Sequence, residues 1–169
     1  MPAARSKRSM LRSAAEVLRS IAVTTDGSAT RDDSMTGISD AQWALLADAA
    51  RRASAHAHCP YSRFRVGAAV LSGDGAIASG CNVENASYGL TVCAERNAVS
   101  RAIADGARNI DAVVVYTPTP EPVTPCGACR QVIAEFGRDA RIRCICDGPA
   151  VLEFSLVDLL PHAFGFTPR

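Results

Sequence analysis

Two short cysteine-bearing stretches, Thr91-Val92-Cys93-Ala94-Glu95-Arg96 and Pro125-Cys126-Gly127-Ala128-Cys129-Arg130, constrain this chain more than anything else in it. Each opens a helical pattern, Ala94 to Ala104 in the first case and Ala128 to Phe136 in the second. Helix starts carry unpaired N–H groups and the positive end of the dipole, which favour thiolate over thiol. Cys93, Cys126 and Cys129 therefore make a soft three-ligand set for one Zn²⁺. A structural zinc site takes four protein ligands, whereas three leave a position open for water. Glu95, two residues after the first ligand, would stand beside that water. The spacing points to a catalytic zinc, and the fold must bring two helix N-termini together around it.

Zinc with three thiolates is formally an anion, a poor setting for taking a proton from water, so charge has to be drawn off the sulfurs. Two helix N-termini do part of this. Arg96, after the Cys-Ala-Glu run, and Arg130, after the CxxC, are placed to hydrogen bond to thiolates and do the rest. Zinc can then bring a water toward a pKa of about 7. Glu95 is the group to accept and pass on the proton. Such a constellation suits hydrolytic displacement of an amine from an amidine-like carbon.

The flanking pattern is that of one α/β domain. Ser39-Asp40-Ala41-Gln42 has the form of a capping box and opens a helix with Trp43, Leu46, Ala47, Ala50 and Ala53 on its apolar face. Pro60 ends it by Cys59. Phe64 to Leu71 reads as a strand, residues 72–75 as a turn, and Ala76 to Val83 as the antiparallel partner. A loop over 84–90 feeds the first cysteine helix. Ala112 to Tyr116 is the apolar, β-branched run of a central strand. A proline-rich loop leads to the second cysteine helix, which stops at Gly137; Ile142, Cys144 and Cys146 then mark another strand. Phe154 to Leu160 closes the domain as a strand or a turn of helix. The order α-β-β-α-β-α-β-β predicts a mixed sheet between helices, with both cysteine helices on one face.

Residues 1–37 are an N-terminal extension and 38–169 the catalytic domain. Up to Ala22 the extension carries a net charge of +4, with Leu11, Leu18 and Ile21 at helical spacing; Thr24 to Thr36 is polar. An organelle transit peptide, a floppy extension, and an upstream start with Met35 as initiator are the three readings. The rest of the chain holds −3 and no basic run longer than a pair, which argues against a nucleic-acid partner and for a small molecule. Seven cysteines, an odd count, with no secretory h-region, fit a reducing, cytoplasmic compartment and metal ligation. No window approaches the length of a membrane span.

Further motifs join the cysteines: residues 60–69 (PYSRFRVGAA), 80–88 (GCNVENASY), 124–131 (TPCGACRQ) and 159–164 (LLPHAF). Together they resemble the cytidine deaminases of the small, three-cysteine zinc type, from about Ser39 to Phe164. The resemblance implies a three-layer α-β-α domain with a mixed five-stranded sheet, a homotetramer, and deamination of cytidine and deoxycytidine in pyrimidine salvage. It implies roles for residues that the zinc argument cannot reach. Asn82 and Glu84 would hold the ribose 3′-hydroxyl, Phe64 would pack on the pyrimidine, and the backbone at Ala86 would meet its amino end. Val83 would line the same site. Phe164 and the loop bearing Tyr88 would complete sites on neighbouring subunits. Cys59, where the family often has a small apolar residue, and residues 1–37 depart from the pattern.

Other readings remain at this level. A structural zinc knuckle would recruit Cys81 or His58 as fourth ligand and leave Glu95 without a task. A thioredoxin-like protein would explain Cys126 and Cys129 but not Cys93. Within the enzyme class, the alternative is a related aminopyrimidine nucleoside, such as a blasticidin-like antibiotic. Cys59, Cys81, Cys144 and Cys146 read as small buried hydrophobes.

Overall fold

The computed structural model describes residues 37–165, so the readings made for the N-terminal extension lie outside the described residues. Helix α1, Asp40–Ser54, starts as its sequence dictates: Ser39 Oγ accepts the Gln42 N–H, and Gln42 Oε1 accepts the Ser39 N–H at 2.9 Å. Five strands follow in the sheet order β2-β1-β3-β4-β5. They are β1 (Gly67–Ser72), β2 (Ile77–Cys81), β3 (Ile110–Tyr116), β4 (Arg141–Ile145) and β5 (Val151–Ser155). Only the β3–β4 pair is parallel, so the sheet is mixed. Helix α2, Ala94–Ala104, precedes β3, and helix α3, Gly127–Phe136, makes the crossover from β3 to β4. A single turn, α4 (Leu156–Leu159), follows β5.

Side-chain alternation along β1 and β3 sorts the core into two layers. Ala69, Leu71, Ala112 and Val114 point to α1 and pack with Trp43, Leu46 and Ala50. Ala68, Val70, Val113 and Val115 point the other way and pack with Ala98 and Val99 of α2 and Ile133 of α3. Both faces of β3 are covered, as its uninterrupted apolar sequence requires. The result is three layers, α1 over the sheet over α2 and α3, with the two cysteine helices on one face as expected.

Several boundaries differ from the sequence reading: β2 covers Ile77–Cys81 where Ala76 to Val83 is expected, and β3 starts at Ile110, not Ala112. The first strand starts at Gly67, not Phe64, because residues 61–66 bind side chains instead of a neighbouring strand. The closing segment is neither strand nor helix alone. It is β5 followed directly by α4, where Ser155 caps the turn by bonding to Asp158.

Close contact fixes α1 and α2 to the sheet. A methyl at Gly67 would lie 1.9 Å from the Ala50 carbonyl oxygen of α1. A methyl at Gly80 would lie 2.6 Å from the Ala98 nitrogen and 2.9 Å from the Ala94 oxygen of α2. Neither position has room for a side chain, so helix backbones sit directly on the strands.

Candidate active site

Cys93 and Cys126 occupy the N-cap positions of α2 and α3, with extended backbone and side chains that take no capping bond. That leaves both sulfurs free to turn outward from their helices. Cys129 lies one turn into α3 and is fully buried, Cys93 is half-buried and Cys126 is exposed. The cluster therefore has a sealed floor and one open side.

The sulfurs stand 4.0 Å apart for Cys93–Cys126 and 3.5 Å for Cys126–Cys129, and all three lie within 4.8 Å of one another. Ligands around tetrahedral zinc at a zinc–sulfur length of about 2.3 Å are separated by about 3.8 Å. The two measured separations bracket that value, so the donor set fits Zn²⁺. Among the described residues this is the one such group, and neither Cys81 nor His58 joins it. Among the described residues no fourth ligand group joins the three sulfurs, which argues against the structural-knuckle reading. The thioredoxin-like reading fails too, because a third sulfur shares the CxxC pair.

Electrostatics match a cation site. The Cys93 thiol is brought down to about 5 by the Cys129 thiol beside it, and then by the Arg96 guanidinium, against the cost of burial. Cys129 is pushed up by its contact with Cys93 and by burial. Three sulfurs this close repel one another as anions, and a dication is what lets all three ionise.

Glu95 is the second residue of α2 and is 4% exposed. Burial raises its carboxyl above the ordinary range, which suits a group that must both take and return protons.

The two arginines take different partners. Arg96 Nη2 donates to the Thr91 carbonyl at 2.7 Å, and its buried Nε has no partner. Its guanidinium helps to lower the Cys93 thiol. Arg130 was expected on the sulfurs and goes elsewhere. It donates to Pro125 O (2.8 Å), Leu159 O (3.0 Å) and Thr124 Oγ1 (3.2 Å). Its donors meet stronger, fixed oxygen acceptors, so it ties the start of α3 to α4.

A short three-segment ladder gathers the remaining residues. Val83 bonds reciprocally with Val92 at 2.9 and 3.0 Å, next to Cys93. His58 N–H donates to Asn82 O, and Glu84 N–H to His58 O. The Asn82 side chain is buried: Oδ1 accepts the Val66 N–H at 2.8 Å and Nδ2 donates to Phe64 O at 2.9 Å. The Glu84 carboxylate accepts the N–H groups of Tyr61 and Ser62. These bonds chain Phe64, Asn82, Val83 and Glu84 to the first ligand. Ala86, in the loop beyond, is exposed.

Phe64 (39%), Tyr88 (75%) and Phe164 (78%) are exposed aromatic side chains. Tyr88 meets Tyr61 edge to face at 5.8 Å. Phe164 is held through its backbone, whose N–H and C=O pair with the Gln131 amide of α3 at 3.0 and 2.8 Å. The sequence reading missed three positioning side chains: Ser62, whose Oγ accepts the Phe64 N–H; Thr91, whose Oγ1 accepts the Asn85 N–H at 3.2 Å; and Gln131. Serine and threonine in turns carry a weak signal of that kind; Gln131 carries none.

Residues 41–146 match the family described as the cytidine and deoxycytidylate deaminase zinc-binding region. A probable cytidine deaminase of Dictyostelium discoideum is 46% identical over 118 residues, covering 69% of this chain and 80% of that protein. A cytidine deaminase of Sporosarcina psychrophila is 45% identical over 130 residues, covering 71% and 88%. Among solved structures, the cytidine deaminase from Burkholderia pseudomallei aligns with a TM-score of 0.68 at 46% identity, over 72% of this chain and 98% of that one.

Proposed function

We propose that this chain, which belongs to the cytidine and deoxycytidylate deaminase family, is a zinc-dependent enzyme that converts cytidine and water into uridine and ammonia. The observation that carries this reading is the three-sulfur cluster with a buried glutamate two residues past its first member.

When bound by Cys93, Cys126 and Cys129, zinc supplies the Lewis acidity that makes water a nucleophile near neutral pH. Water adds to C4 of the base while Glu95 accepts its proton. Glu95 returns that proton to the ring nitrogen, N3. It then carries the second proton of the former water to the departing amino group, which leaves as ammonia. The carbonyl of uridine remains, and Glu95 ends as it began. Burial serves both halves of this cycle: it raises the Glu95 carboxyl above its ordinary range, so the carboxylate is a stronger base when it takes the proton and the acid form is easier to reach when it gives one back. The N-terminal ends of α2 and α3, with Arg96, offset the negative charge of the thiolates.

The substrate is read as a free nucleoside, ribo or deoxyribo, within pyrimidine salvage. Phe64 packs on the pyrimidine face, a role its partial exposure beside Asn82 supports. Asn82 and Glu84 take the 3′-hydroxyl with the hydrogen-bonding capacity their backbone contacts leave, and Val83 lines the site between them. The Ala86 backbone meets the amino end. Tyr88 and Phe164 are too exposed for a finished surface, which supports a homotetramer in which they complete neighbouring sites. Seven free cysteines suit a reducing compartment, the cytoplasm.

Replacing Glu95 by glutamine tests the mechanism. Zinc content and fold are retained, and ammonia release from cytidine falls by about 10²–10⁴-fold. Unimpaired turnover in that variant would remove Glu95 from the reaction. A nucleoside panel in the same assay tests the substrate class.

A further inference from the structure

Residues 61–66 form a loop beside the site held by side-chain hydrogen bonds, and Ser62 takes part in two of them. Its N–H donates to the Glu84 carboxylate at 3.2 Å, while its Oγ accepts the N–H of Phe64 at 3.0 Å. Between them Arg63 has a φ of 57°, in the left-handed region that side-chain-bearing residues avoid. The Arg63 N–H bonds back to Cys59 O, and Asn82 Nδ2 holds Phe64 O. A non-glycine residue keeps such a conformation only when its surroundings over-determine it. Here the constraint sits on both sides of Arg63, and the Ser62 hydroxyl is the side-chain contact that closes the turn onto Phe64. Phe64 is 39% exposed and belongs to neither core cluster.

We infer that Ser62 is a positioning residue for substrate binding: its hydroxyl fixes the left-handed turn at Arg63 and thereby aims the Phe64 ring at the base. This rests on the reading that Phe64 packs on the pyrimidine. Without the hydroxyl, the Phe64 N–H loses its acceptor and the turn relaxes toward conformations arginine prefers. The ring then samples other directions, and binding pays an ordering cost that the native loop avoids. The cost belongs to substrate binding and not to the proton transfers at Glu95.

The experiment is a double-mutant cycle on the zinc-loaded enzyme with cytidine, using S62A, F64A and the pair, with S62T as the conservative variant. S62A raises KM about five- to tenfold, as losing one hydrogen bond of this kind would, and leaves kcat and zinc content near wild type. S62T keeps the hydroxyl and restores KM. In the F64A background, S62A adds less than about twofold, because Ser62 acts through the ring that is already gone. A normal KM in S62A beside a raised KM in F64A overturns the inference alone. So does a full, additive S62A effect in the F64A background. An unchanged KM in F64A overturns the reading of Phe64, and this inference falls with it.

Discussion

Cys144 lies in the core behind the site, fully buried on β4, and burial pushes its thiol up to about 12. The chemistry at residue scale thus assigns opposite fates to cysteines of one chain: low-lying thiolate at Cys93, inert thiol at Cys144. A folded-state value above the unfolded 9.0 means the native state holds this proton more tightly. Its stabilising effect is therefore complete below about pH 9 and is lost as pH climbs toward 12. Stability measured by urea at about pH 8 and about pH 11 should fall more steeply in the wild type than in C144A. Equal slopes would contradict the assignment. The sequence already pointed to Cys144 as a small apolar residue in a strand, and to Cys93, Cys126 and Cys129 as one candidate ligand set, because spacing and helix starts are local facts. It did not show where Arg130 goes. An arginine chooses its acceptors by what the fold places around it, and the Leu159 carbonyl comes from a distant part of the chain.

At the scale of elements, two glycines make a contrast. Gly67 meets α1 and Gly80 meets α2, and only α2 carries Cys93 and Glu95 toward the site. Both substitutions to alanine overpack a helix–strand contact and cost about 1–3 kcal/mol or more. G80A should also lower kcat and zinc retention, since α2 must move outward with its N-terminus. G67A should lower the melting temperature with kcat of the folded enzyme near wild type. Equal catalytic losses in both would show that the placement of α2 is not what matters. Element order, the capping box at Ser39 and the central strand were legible because each follows from local pattern. The 61–66 loop was not. Its apolar Phe64 and Val66 alternate like a strand, but Asn82 and Glu84, far along the chain, take up its backbone groups.

For the molecule as a whole, the exposed aromatic residues carry the prediction. If Phe164 completes a neighbouring site in a homotetramer, specific activity falls on dilution below the assembly constant, and F164A loses activity without losing zinc. Concentration-independent activity from a monomer would contradict that arrangement. No sequence pattern within one chain encodes such an interface, so this level rested on resemblance. The central claim concerns the metal: three thiolates hold one zinc and leave its fourth position to solvent and substrate. X-ray absorption at the zinc edge of the purified protein tests it most directly, together with metal content. The account predicts one zinc per chain, with three sulfur neighbours at about 2.3 Å and one lighter neighbour. Four sulfur ligands, a protein-saturated shell, or no zinc at all would contradict it.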